Sequence, residues 1–215
     1  MPAGITEEIR RLKNDRGAII LAHSYQPGPV QDIADHVGDS LELSRIAAEE
    51  AADLVVFCGV RFMAETAKLL SPESTVVLAA PDASCSLAAS MTAGDVVSLK
   101  EQHPGVPVVV YVNSTVEVKA EAWACCTSAN SIQVAKAAPG DEIIFGPDRN
   151  LGTWVQRNID KKVHIWAGGC HAHSGGDIRS LLDRKTQWPD AEVLVHPECR
   201  LFSGGRPTRY WGPEE

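Results

Sequence analysis

Ala18-Ile19-Ile20-Leu21-Ala22-His23-Ser24-Tyr25-Gln26 is a short apolar run that breaks at once into a polar segment. An apolar run of this length reads as a buried strand, and the polar residues after it as the strand's exit. The same pattern recurs along the chain. Strands are expected at Ala18–Ala22, Leu54–Phe57, Thr75–Leu78, Val108–Val112, Glu142–Phe145, Val163–Trp166 and Glu192–Val195. Helical patterns fall between them, at Val60–Leu70, Val116–Ala138, Leu151–Asn158 and Ile178–Lys185. From Val30 to Ala52 the apolar residues Ile33, Val37, Leu41 and Ile46 suit one helix or two short ones. Strands alternating with helices imply an α/β protein with parallel strands.

Aligning the strand exits exposes a repeat. One unit runs strand, His23-Ser24-Tyr25-Gln26, helix, strand, Gly59, helix, strand, Cys85. The next runs strand, Asn113-Ser114-Thr115, helix, strand, Gly146-Pro147-Asp148, helix, strand, Cys170. A third starts with a helix, a strand and His196-Pro197-Glu198. The expected architecture is therefore a set of repeated three-layer αβα domains with short parallel sheets around a pseudo-threefold axis, the third incomplete. Residues 1–95 form the first domain, 96–175 the second, and 176–215 a partial third with an irregular tail from Arg200. A matching interval after His196 places a third cysteine at roughly position 255.

Composition narrows the function. The 215 residues carry 20 basic and 28 acidic side chains, a net charge of -8, and no basic run longer than a pair, which argues against nucleic acid as a partner. No stretch approaches the ~20 apolar residues of a membrane span, and no signal peptide is evident, so the expected location is the cytoplasm. Six cysteines without a C-x-x-C pair suit neither a disulfide scaffold nor a zinc ribbon.

In parallel α/β sheets ligands collect at the C-terminal ends of the strands, where helix N-termini offer unpaired N–H groups to anions. That places His23, Tyr25, Tyr111, Asn113, His196 and Glu198 at candidate binding positions. Ser40, in Gly38-Asp39-Ser40-Leu41, supplies a hydroxyl for a carboxylate or phosphate, or belongs to a plain helix cap. Cys126-Thr127-Ser128-Ala129-Asn130 is either a second small polar patch or a buried seam. Cys85 and Cys170 hold matching places in two repeats, which favours joint ligation of an iron–sulfur cluster. The bland alternative is two small buried thiols. A zinc site built on Cys170, His173 and His196 follows no standard spacing.

These motifs resemble those of the quinolinate synthase family. Leu21-Ala22-His23-Ser24-Tyr25-Gln26, Val37-Gly38-Asp39-Ser40-Leu41, Gly59-Val60-Arg61-Phe62-Met63-Ala64-Glu65-Thr66 and Tyr111-Val112-Asn113 carry the resemblance. Cys126-Thr127-Ser128-Ala129-Asn130, Pro147-Asp148-Arg149-Asn150-Leu151-Gly152, Cys170-His171-Ala172-His173 and His196-Pro197-Glu198-Cys199 continue it in order. Such an enzyme condenses iminoaspartate with dihydroxyacetone phosphate to quinolinate, releasing phosphate and water, in NAD biosynthesis. The resemblance implies a transferase and dehydratase carrying a [4Fe-4S] cluster, with a functional link to L-aspartate oxidase. By motif, Cys85 and Cys170 are the first two cluster ligands, and the third is expected beyond residue 215. The resemblance likewise implies that His23, Ser40, Tyr111, Asn113, Ser128 and His196 bind substrate and makes Tyr25 and Glu198 candidates for proton transfer. Ser24 stands where the family often has an aromatic residue or asparagine, and Cys199 is not a family cluster ligand. Read as a chain cut short in its third domain, the protein has an alternative: a non-catalytic two-domain remnant that binds small anions.

Overall fold

The computed structural model describes residues 3–174, 177–199 and 209–210. The elements run α1 (Ala3–Arg16), β1 (Ala18–His23), α2 (Gly28–Gln31), β2 (His36–Gly38), α3 (Ser40–Glu50), β3 (Leu54–Cys58), α4 (Arg61–Leu70), β4 (Thr75–Leu78) and α5 (Ala93–Gln102). They continue with β5 (Val108–Tyr111), α6 (Val116–Ala120), β6 (Ala124–Cys126), α7 (Ser131–Ala137), β7 (Glu142–Gly146), α8 (Arg149–Asn158) and β8 (Lys162–Ile165). The last are α9 (His171–Ser174), α10 (Ile178–Gln187), β9 (Leu194–Val195) and β10 (Arg209–Tyr210).

The chain divides into two compact units, Met1–Cys85 and Ser86–Glu215. Each holds a four-stranded sheet, ordered β2-β1-β3-β4 in the first and β6-β5-β7-β8 in the second. All pairings within both sheets are parallel. The identical order confirms the α/β repeat expected from the strand exits. It also fixes where ligands collect. After the first strand of each sheet the chain moves to one side, and it then crosses to the other, so the crevice opens at the C-terminal ends of β1 and β3 and of β5 and β7.

Burial explains why the central strands were legible. β1 hides Ile20, Leu21 and Ala22, and every residue of β5 is buried. Such strands read as continuous apolar runs because both faces are covered. In the second unit Met91, Val96, Val108, Val110, Val118 and Ile144 form one buried cluster.

Two expectations are corrected. Val116–Ala138 is not one helix, whereas Val30–Ala52, which suited one helix or two short ones, holds two. Each contains a three-residue edge strand, β2 or β6, followed by a new helix. Three residues are too few to show a period, so flanking helical spacing masked them. The helices α1 and α5 lay outside the expected set. Within the segment from Arg200, Arg209–Tyr210 pairs in parallel with β9, so the expected irregularity does not hold there. The rest of that tail lies outside the described residues. Among the described residues no helix is long and apolar enough to cross a membrane.

Candidate functional site

In the first unit the site is assembled at the end of β1. His23 is the last residue of that strand, and the Tyr25 N–H donates to its Nδ1 at 3.2 Å. The two rings stack obliquely, 4.0 Å between centroids. Burial lowers the His23 pKa, opposed by the charge of Asp39. Tyr25 is 54% exposed, and its phenol is raised by partial burial and then by the Cys85 charge. Asp39 caps α3 by accepting the N–H groups of Leu41 and Glu42, while Glu42 reaches back to the Asp39 N–H in a capping box. Gly38 leaves room for this reach, since a Cβ there would make the Glu42 carboxylate shift. Ser40 is thus the first residue of α3, half-buried, beside its N-terminal N–H groups.

The second unit gathers more of the expected residues. Tyr111 ends β5, where the Ser114 hydroxyl donates to its carbonyl at 2.7 Å. After β6, Asn130 Oδ1 accepts the Thr127 N–H at 2.7 Å and curls the chain. This turn presents Ser128, whose Oγ lies 3.0 Å from His196 Nε2. The patch around Ser128 is therefore a strand-to-helix turn, correcting its expected place inside a helix. His196 repeats the arrangement of His23: the N–H two residues on, here of Glu198, donates to its Nδ1 at 3.3 Å. With Nδ1 as acceptor in both rings, the assigned tautomer carries its proton on Nε2, aimed away from the turn. Burial lowers the His196 pKa and keeps the ring neutral near pH 7, against the pull of Glu198.

Glu198 is 2% exposed. The His173 Nδ1 lies 3.1 Å from its Oε2, and the Asn150 amide donates to its carbonyl at 2.8 Å. Its Oε1 has no hydrogen-bond partner, and His196 Nδ1 stands 3.5 Å away. The hydrogen bond to Glu198 raises the pKa of His173. The Tyr111 phenol is raised well above its ordinary range, first by burial and then by the Glu198 charge, so it stays a donor. Asp148 completes the cluster. It caps α8 by accepting the Leu151 N–H at 2.7 Å, and burial pushes its carboxyl up to about 6. Its Oδ2 is buried without a partner.

Tyr111, Ser128, His196 and Glu198 are therefore brought together. Asn113 is half-buried two residues beyond Tyr111, with no contact to the cluster among those described. Sequence reasoning assigned no role to Asp148 and Asn150 and gave His173 one only in the zinc alternative. The available signal was their place in the Pro147-Asp148-Arg149-Asn150 and Cys170-His171-Ala172-His173 motifs. Among the cysteines, burial raises the thiols of Cys58, Cys125 and Cys126. Cys85 and Cys170 are partly exposed. The residues that follow them are joined, since Ser86 Oγ lies 2.8 Å from His171 Nδ1.

A family profile described as quinolinate synthetase A protein matches residues 7–202. A quinolinate synthase of Mycobacterium sp. (strain KMS) is 53% identical over 194 residues, covering 89% of this chain and 58% of its own length. That of Mycobacterium tuberculosis (strain ATCC 25618 / H37Rv) shares the same identity over the same 89%, with 56% of its own length covered. The Mycolicibacterium paratuberculosis (strain ATCC BAA-968 / K-10) relative gives the same figures, 53%, 89% and 56%. The chain thus spans between 56% and 58% of the length of these curated relatives. With the profile covering most of the chain, and with its motifs lying at the strand ends where the fold gathers ligands, the protein belongs to the quinolinate synthetase A family.

Proposed function

We propose that this chain carries substrate-binding and proton-transfer groups of a quinolinate synthase, which condenses iminoaspartate with dihydroxyacetone phosphate and releases phosphate and water. The observation that carries the reading is the cluster of Tyr111, Ser128, His196 and Glu198. It lies in a chain 53% identical to proteins of that name. Both substrates are anions. His23, with Nε2–H directed away from its turn, donates to carboxylate or phosphate oxygens, and His196 with Ser128, 3.0 Å apart, offers them a second polar pair without a buried cation. Ser40 and the N-terminal N–H groups of α3 do the same in the first unit. Ser128, Asn113 and the Tyr111 phenol supply further hydrogen bonds. Glu198, buried beside His173 and His196, takes a proton during enolisation and dehydration, and Tyr25 serves as its counterpart in the first unit.

Cys85 and Cys170 are the residues that would hold the [4Fe-4S] cluster. Both are partly exposed and so open to a ligand, and their matching places in the two repeats single them out from Cys58 and Cys199, which are equally exposed. When bound, a cluster with an open iron supplies Lewis acidity to a substrate hydroxyl or carboxylate. We read the segment from residue 176 as the start of a third αβα unit. The protein works in the cytoplasm beside the oxidase that supplies iminoaspartate, L-aspartate oxidase. Anaerobic reconstitution with iron and sulfide, followed by a quinolinate assay beside an active full-length relative, tests the reading. Quinolinate formed by this chain supports it. A chain that forms none, while the relative does, overturns the activity and favours the anion-binding alternative.

A further inference from the structure

Three buried side-chain atoms among the described residues lack a hydrogen-bond partner, and two of them, Asp148 Oδ2 and Glu198 Oε1, belong to the cluster described above. A buried carboxylate oxygen left alone is costly and marks a place where a partner of positive character belongs. What faces Glu198 Oε1 narrows that partner. His196 Nδ1 is 3.5 Å away and accepts the Glu198 N–H, so it has no proton to offer Oε1. Two acceptors confront each other there. On the other side His173 Nδ1 stands 3.1 Å from Oε2. One ligand atom from each of His173, His196 and Glu198 lies within 4.8 Å of the others.

The two imidazole-to-carboxylate separations, 3.1 Å to Oε2 and 3.5 Å to Oε1, are of the size that a shared metal ion needs. With bonds of about 2.0–2.1 Å to nitrogen and oxygen, neighbouring ligands of a tetrahedral dication lie about 3.3 Å apart. The outer brace is also present, because Ser128 Oγ fixes the remote nitrogen of His196 at 3.0 Å. Two imidazoles and one carboxylate select borderline transition dications over magnesium or calcium. We propose that His173, His196 and Glu198 form a mononuclear site for one divalent cation of the zinc or cobalt class, separate from the cysteines. Uptake displaces any proton on His173 Nδ1, the ring nitrogen that lies 3.1 Å from Glu198 Oε2. One consequence rests on the functional reading: a cation there occupies His196 and Glu198, so it inhibits quinolinate formation.

The test is titration of the untagged, chelator-treated full chain with Co2+ under anaerobic conditions, read by visible absorption. It is run on the wild type, on Cys170→Ser, and on Cys170→Ser combined with His173→Ala or with Glu198→Gln. The expected result is about one equivalent bound in Cys170→Ser, with ligand-field bands and no thiolate charge-transfer band. Affinity then falls at least about tenfold in each double variant. No cobalt signal in Cys170→Ser overturns the proposal, and so does a signal that both double variants retain. His173 is partly exposed, so the His173→Ala arm decides the matter should circular dichroism show that Glu198→Gln does not fold. The titration uses no cluster, substrate or turnover, so failure of cobalt binding and failure of quinolinate synthesis are separate results.

Discussion

Asp148→Asn is expected to change how the stability of the protein depends on pH. Asp148 is fully buried, and its carboxyl is pushed from an ordinary 3.8 to about 6, chiefly by burial. The unfolded chain loses this proton near 3.8 and the folded chain near 6. The contribution to stability is therefore complete below pH 3.8, declines as pH rises through about 6, and is absent above that. A shift of about two units corresponds to roughly 3 kcal/mol. Asparagine keeps the oxygen that accepts the Leu151 N–H, serves equally well as an N-cap, and cannot ionise. Relative to wild type, the variant should gain up to roughly 3 kcal/mol between about pH 3.5 and pH 7. Urea denaturation across that range, followed by circular dichroism, measures the difference between the two proteins and cancels groups common to both. A difference that stays flat within about 0.5 kcal/mol would refute the reasoning. It would mean that the Asp148 carboxylate is ionised and well paired in the folded protein.

Three other outcomes follow from the packing and the site. Leu21→Ala removes a fully buried side chain from the centre of β1 and should cost roughly 2–5 kcal/mol in denaturant midpoints. At Gly152 of α8 a Cβ would lie 2.7 Å from Ile165 Cγ2, so Gly152→Ala should lower the melting temperature by an equivalent of about 1–3 kcal/mol, despite alanine's better helix propensity. An unchanged or higher melting temperature would contradict that packing. Tyr25→Phe removes a half-exposed hydroxyl whose one described contact is Met63 Sδ at 3.9 Å, so stability should move by less than about 0.5 kcal/mol. If Tyr25 transfers a proton, turnover of the reconstituted chain should still fall by about 10²-fold or more.

Much of the fold was open to inspection in one dimension. Val108–Tyr111 and Ala18–Ala22 are central strands covered on both faces, and that environment writes a run of apolar residues into the chain. The edge strands His36–Gly38 and Ala124–Cys126 each pair on one side only and are three residues long. They left no period and were absorbed into neighbouring helical spacing. Tyr111, Ser128, His196 and Glu198 were nameable because each follows a strand or sits in a small polar break.

What the linear order determined was the repeat itself, together with the set of polar residues at the strand ends, because both depend on local composition and spacing. What only the tertiary structure decided was partnership. His196 and Ser128 are 68 residues apart, yet their side-chain atoms are 3.0 Å apart because β6 curls beside β5 before the chain returns. The pairing of His173 with Glu198 arises in the same way. So does the orphaned Glu198 oxygen, 3.5 Å from a His196 nitrogen that has no proton to give it. Burial and charge at such a site are properties of the assembled surroundings, and no residue carries them alone.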